Sequence, residues 1–144
     1  MVGILLHGHL LGFQQPIDLL NIYGPYDNRQ VFWDPVKSVD LLDLPFLILA
    51  GDLNFTWSAE EVWGTGRPCN PRVDYFISLF EDSNLQDISP VVVSPTWYNG
   101  RVGSHSISKR LDIYFMAEDL CGALGNYRTW HMSSGILDHR AIIL

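Results

Sequence analysis

Asp52 and Asn54 stand two positions apart directly after the run Phe46-Leu47-Ile48-Leu49-Ala50-Gly51, so an apolar segment ends by presenting a carboxylate and an amide. Asp112 lies inside Arg110-Leu111-Asp112-Ile113-Tyr114-Phe115, and Asp138 adjoins His139 just before Ala141-Ile142-Ile143-Leu144. Tyr23 closes a fourth apolar stretch, Ile17-Asp18-Leu19-Leu20-Asn21-Ile22. Acid, amide, imidazole and phenol gathered at strand ends make the inventory of a metal-assisted phosphoryl-transfer site. Magnesium takes a few carboxylate oxygens and completes its shell with water, while an imidazole hydrogen-bonds a phosphate or pairs with an acid. A carboxylate or a bound hydroxide can then deliver the attack. Each group also has a plainer explanation. Asp-x-Asn after a strand is the signature of an Asx-turn; Asp112 could pair with Arg110 or Lys109, Asp138 could cap a turn, and neighbouring Asp and His side chains could simply be solvated.

The elements that must carry these groups follow from local pattern. The run 46–50, bounded by Pro45 and Gly51, suits a strand covered on both faces, and Gly51 allows the backbone to turn or be approached closely. If the extended conformation continues, Asp52 and Asn54 point the same way. Residues 17–23 form another strand, stopped by Gly24-Pro25, and the loop after it carries Tyr26, Asp27, Asn28 and Arg29. From about Asn28 to Leu42 the apolar spacing is helical, but Pro35 interrupts it; the helix either kinks there or starts there, with Asp34 as N-cap. A second helix begins near Asn70 and Pro71, shows Val73, Phe76, Ile77 and Phe80 on one face, and stops at Asn84. Val91-Val92-Val93 and Thr96-Trp97-Tyr98 are strand-like, with Asn99-Gly100 marking a hairpin turn before a polar loop over 103–109. Strands at 110–115, 127–132 and 141–144 and a short helix at 117–124 complete an α/β (α+β) chain.

With 144 residues, 47% of them hydrophobic, the chain is one globular domain's worth and too apolar for disorder. A net charge of −7 and a pI near 4.9 exclude gripping nucleic acid by bulk attraction, so a phosphate substrate needs a local solution such as bound divalent cations. Cys69 and Cys121 have no metal-ligand spacing. His7 and His9 alternate as a strand would place them and are expected to be surface histidines. The apolar start lacks a basic leader and is too short to span a bilayer, so neither a targeting nor a membrane segment is expected.

Four ordered motifs carry a resemblance. Asn21-Ile22-Tyr23-Gly24-Pro25, Gly51-Asp52-Leu53-Asn54, Thr96-Trp97-Tyr98-Asn99 with Arg110-Leu111-Asp112, and Asp138-His139 look like the endonuclease/exonuclease/phosphatase superfamily. Gly51-Asp52-Leu53-Asn54-Phe55 with its Trp-rich loop, and Pro95-Thr96-Trp97 with Ser108-Lys109-Arg110-Leu111-Asp112, look most like the endonuclease domains of plant non-LTR (LINE-type) retroelements. The resemblance covers nearly the whole chain, residues 1–144 as one partial domain. It implies a four-layer αββα sandwich of DNase I type, incomplete at the N-terminus, and hydrolysis of DNA phosphodiesters at a magnesium centre, with manganese as a substitute. Carried over, Asp52 positions or deprotonates the attacking water and Asn54 holds that water or the phosphate. His139 stabilises charge developing on the phosphate, Asp112 orients His139, and Tyr23 contacts the phosphate. Asp138, with Asp52, ligates the metal, and Arg29 lies against the nucleic acid. A nuclear or cytoplasmic location is expected for the family.

The departures bear on activity. The family opens with a strand ending in an active-site Asn and another ending in a metal-binding Glu, both ahead of Gly3-Ile4-Leu5-Leu6, and neither is present here. Glu60, Glu61 and Glu81 come in the wrong order to replace that Glu. Leu137 stands where a Ser is usual, and Tyr26 where Asn is usual. Two functions are therefore in play: a metal-dependent endonuclease impaired by truncation, or a non-catalytic retroelement remnant with at most a binding role. A phosphatase acting on inositol phosphates or lipids is a lesser alternative.

Overall fold

The computed structural model describes residues 3–65, 72–132 and 138–144. The expected Asn70 cap, Pro71, Cys69 and Leu137 lie outside them. In chain order the elements are β1 (Gly3–His9), β2 (Pro16–Ile22), α1 (Arg29–Ser38), β3 (Leu47–Asp52), β4 (Val62–Gly64), α2 (Val73–Asp82) and β5 (Leu85–Asp87). Then follow β6 (Trp97–Tyr98), β7 (Ile107–Lys109), β8 (Asp112–Ala117), α3 (Glu118–Leu124), β9 (Trp130–Met132) and β10 (Ala141–Ile143).

The large sheet has the order β1-β2-β3-β8-β5. Parallel pairing of β2 with β3, across the α1 connection, brings both C-terminal ends to one edge, and antiparallel β8 starts at that same edge. Asp52 and Asp112 are register partners there. A three-stranded sheet β4-β7-β6 and the β9–β10 ribbon form the second sheet layer. His131 and Ile142 of the ribbon line a small cavity with Ile88 and Tyr114, which places the ribbon over the face of the large sheet that also carries Asp112.

The opposite face is covered by helices because their apolar stripes are aromatic. Trp33 of α1 packs edge-on against Phe76 and Phe80 of α2, Phe80 stacks on Phe115 of β8, and Phe55 stacks on Phe76 at 4.0 Å between ring centres. Trp33, Phe76, Phe80 and Phe115 are all at most 1% exposed, and burial of each such side chain stabilises by roughly 1.5–3 kcal/mol. Helix, sheet and sheet are thus three layers of the αββα sandwich, and the expected α/β class holds. Among the described residues no helix is long and apolar enough to cross a membrane.

Several local expectations need correction. The first helix neither starts at Pro35 nor uses Asp34 as a cap: it begins at Arg29 behind a left-handed Asn28 and contains Pro35. Asp34 instead accepts a hydrogen bond from the Tyr75 hydroxyl at 2.7 Å, tying α1 to α2. Val91-Val92-Val93 is no strand; bracketed by Pro90 and Pro95, it pairs with nothing in a ladder, and Val91 is fully exposed. The hairpin after Tyr98 is not closed by two residues. Its return strand is β7, inside the segment expected to be loop, and the Asn99 side chain closes the long connection by accepting from Arg101 N and Ile107 N, each at 3.1 Å. His7 donates from its ring Nδ1 to Asp18 Oδ1 at 2.8 Å on the exposed edge. Asn84, with φ 51°, does end α2.

Candidate active site

Asp52 is the last residue of β3, and the chain leaves the strand there. Asn54 is left-handed (φ 54°), and its N–H donates to Asp52 Oδ1 at 3.0 Å, so the extended conformation does not continue and the Asx-turn forms. The Asn54 side chain turns back to donate from Nδ2 to the Gly24 carbonyl at 2.7 Å, which leaves one amide N–H and the amide oxygen for other partners. Gly24 N donates in turn to the Asp52 carbonyl at 2.7 Å. Backbones approach so closely at this junction that a Cβ on Gly51 (φ 136°) would run into the Ile22 carbonyl, and one on Gly24 into that of Leu53. The close approach expected at Gly51 is present.

His139 reaches the same edge from the second sheet layer, where it bridges to Trp97. Its Nδ1 donates to Asp112 Oδ2 at 2.9 Å, and its Nε2 faces Asp52 Oδ2 at 3.7 Å, too long for a direct hydrogen bond. Asp52, Asp112 and His139 therefore converge. Asp112 does not pair with Arg110; that guanidinium, 2% exposed, bonds Glu61 Oε1 at 2.8 Å and both Asp87 oxygens at 2.6 and 2.7 Å. Asp138 contributes its carbonyl to Tyr98 N at 3.0 Å, and its exposed carboxylate acts on both Asp52 and His139 through space.

Electrostatics follow from this crowding. Burial raises the Asp52 carboxyl above its ordinary range; the Asn54 N–H opposes that, Asp112 and Asp138 add to it, and His139 opposes. Burial works against a charged His139, yet the bond to Asp112 and the charges of Asp112, Asp52 and Asp138 outweigh it, so the imidazole sits above its usual value. A base made stronger than an ordinary carboxylate thus lies beside an imidazole biased toward its protonated, donating form.

The other expected residues are less central. Tyr23, just past β2, is 60% exposed beside the junction. Arg29 donates from Nη2 to the Asn54 carbonyl at 2.5 Å and from Nε to the Pro25 carbonyl at 3.4 Å, clasping two loops together. Sequence reasoning missed the role of Thr96 and the Arg110–Glu61–Asp87 network; side-chain partners this far apart along the chain leave no local pattern to read. Next to Asp138, a cleft of about 440 Å³ is lined by Tyr26, Trp97, Tyr98, Arg101 and Lys109, with Lys109 Nζ 6.0 Å from the centre of the Trp97 ring.

For a metal, the donor set is sparse. Among the described residues no three His, Cys, Asp or Glu side chains converge to hold an ion. Asp52 and Asp138 fit magnesium only in the mode where one or two carboxylates anchor it and water and phosphate oxygens supply the rest.

No protein-family model matches the chain, and no match is found among curated proteins. Among solved structures it is similar to the endonuclease domain of TRAS1, a telomere-specific non-LTR retrotransposon, with 22% identity and a TM-score of 0.69 over 98% of this chain and 61% of that one. It is also similar to the 3'-5' exonuclease NExo from Neisseria meningitidis, with 14% identity and a TM-score of 0.61 over 88% of this chain and 59% of that one. The fold is of the DNase I type that these nucleases share, and the chain spans about three fifths of the length of each.

Proposed function

We propose that this chain belongs to a magnesium-dependent phosphodiester hydrolase acting on DNA, of non-LTR retroelement ancestry, whose activity is attenuated here. The observation that carries the reading is the single His139 ring set between Asp112, at 2.9 Å, and Asp52, at 3.7 Å.

In this reading Asp52, its carboxyl raised, takes the proton of the attacking water, and Asn54 orients that water or a phosphate oxygen with its remaining amide groups. His139, held by Asp112, presents Nε2 to charge developing on the phosphate. Tyr23, exposed at the same edge, contacts a non-bridging phosphate oxygen. Magnesium, or manganese in its place, would be held by Asp138 and Asp52 and would supply Lewis-acid stabilisation of the phosphate. The cleft with Lys109 and Arg101 beside Tyr26, Trp97 and Tyr98 offers an otherwise acidic chain local cations for phosphate and rings for bases. Arg29 serves by shaping the loop that carries Asn54.

Conversion of supercoiled plasmid to the nicked form tests this. Nicking should require magnesium or manganese, stop with chelator, and fall by about 10²–10⁴ in Asp52→Asn, the range of general acid–base contributions. Nicking that is unchanged in Asp52→Asn would overturn it. A second reading, a non-catalytic remnant that only binds nucleic acid, is favoured by the absence of a three-donor metal group among the described residues. It requires binding of DNA without nicking under either metal.

A further inference from the structure

Asp112 opens β8 in the large sheet, whereas His139 lies outside the named strands and bridges to Trp97 of β6, so no ladder sets one against the other. Something else must fix their 2.9 Å contact. Thr96, fully buried, touches both backbones. Its hydroxyl oxygen accepts from Leu111 N at 2.9 Å and from Asp112 N at 3.0 Å. Its carbonyl accepts from Arg140 N, the residue after His139, at 2.7 Å, and its own N–H donates to the Lys109 carbonyl at 2.9 Å. A hydroxyl has two acceptor lone pairs, and both are engaged by consecutive amides at the start of β8. One residue thus refers the chain on both sides of the Asp112–His139 contact to a single buried point.

We propose that Thr96 is the positioning residue of the Asp112–His139 pair, acting through its hydroxyl. Threonine is not required for strand shape here, since valine has the same outline and a higher strand preference. What valine lacks is the acceptor for two amides, and without it the start of β8, still laddered to β3, loses its hydroxyl tie to the segment that carries His139. The consequence for catalysis rests on the hydrolase reading; the consequence for geometry does not. A displacement near 1 Å of groups that must align with a reacting phosphate lowers turnover by about 10²-fold.

The test compares Thr96→Val and Thr96→Ser in the full chain. Imidazole ¹⁵N shifts above the ring's titration range report which nitrogen carries the proton, and a ring held by Asp112 carries it on Nδ1. Wild type and Thr96→Ser should both show that tautomer, whereas Thr96→Val should lose it and lower kcat for plasmid nicking about 10²-fold with KM unchanged. Amide exchange in the wild type gives a measure independent of whether the valine variant folds: Leu111, Asp112 and Arg140 N–H should all be protected. A folded Thr96→Val that keeps the Nδ1 tautomer, or a wild type whose Asp112 amide exchanges unprotected, overturns the proposal. Absence of nicking in the wild type would sink the hydrolase reading alone, because the tautomer and exchange data still decide the role of Thr96.

Discussion

Asp52 and Asp112 face each other as register partners across the β3–β8 ladder, two carboxylates set opposite one another with His139 in contact with one and near the other. Like charges directly opposite in a sheet destabilise it; burial first, and the Asp112 charge after it, raise the Asp52 carboxyl. A carboxyl raised in the folded state weakens folding as pH rises past its ordinary value of 3.8. Asp52→Asn keeps an oxygen for the Asn54 N–H and removes the charge. At pH 7 its melting temperature should equal or exceed that of the wild type while nicking is lost. A marked fall in melting temperature would mean that the carboxylate serves the fold and not the chemistry.

Magnesium should relieve the same crowding. Added at millimolar concentration it should raise the melting temperature, the weak affinity following from a sparse ligand set and an ion that dehydrates reluctantly. Asp138→Asn should abolish the rise, whereas Glu81→Gln, on α2 away from this edge, should leave it intact. An equal calorimetric response in both variants would remove Asp138 from the metal site.

Arg110 shows how the site edge is anchored from beneath. Burial disfavours its charge, but two carboxylates outweigh that; Glu61, with only part of the guanidinium and the Trp57 N–H, is left raised by burial. Replacing one member strands the others. Arg110→Met should destabilise by about 3–5 kcal/mol in urea unfolding, the usual result of leaving a buried charge unpaired. Adding Glu61→Leu and Asp87→Leu should recover much of it, and a loss below about 1 kcal/mol in the single variant would contradict the network's role.

What was legible in the sequence was what local pattern encodes. The run before Asp52 is a buried strand because both its faces are covered, and Phe76 and Phe80 line up because helical period puts them on one side. The Asp112–His139 pair was reached only through the order of motifs, since a sequence separation of 27 carries no spacing signal. Val91-Val92-Val93 misled because strand preference without a partner makes no strand. Thr96 stood in one of the motifs without a role, because a buried hydroxyl that accepts two amides is a property of segments meeting in space, which no window of sequence contains.

The α1–α2 contact predicts an alkaline weakness. Burial, then the hydrogen bond and charge of Asp34, raise the Tyr75 hydroxyl well above the ordinary phenol value of 10.0, with Arg72 opposing. The folded state therefore keeps a proton that the unfolded state releases, and this contribution to stability is present below pH 10.0 and lost as pH rises beyond it. Tyr75→Phe should flatten that part of the stability profile and, at pH 7, cost about 0.5 kcal/mol for an exposed hydrogen bond. A Tyr75→Phe profile that still falls as steeply above pH 10 would assign the weakness elsewhere.

Gly51 is where fold and site meet most tightly. It sits one residue before Asp52 with φ 136°, and a Cβ there would occupy the space of the Ile22 carbonyl, so both torsion and contact forbid a side chain. Gly51→Ala must either push β3 away from the end of β2 or twist the backbone, and each movement carries Asp52 with it. Strained torsions of this kind cost about 1–3 kcal/mol, and the collision adds to that. The variant should lose at least that much stability in denaturant unfolding and should lose nicking even at temperatures where it remains folded. Gly8→Ala is the matched control: its Cβ would meet nothing within 4 Å, and it should leave both unchanged. If Gly51→Ala instead nicks plasmid as the wild type does, the position of Asp52 at the end of β3 does not limit the chemistry, and the attacking water must be activated by another group.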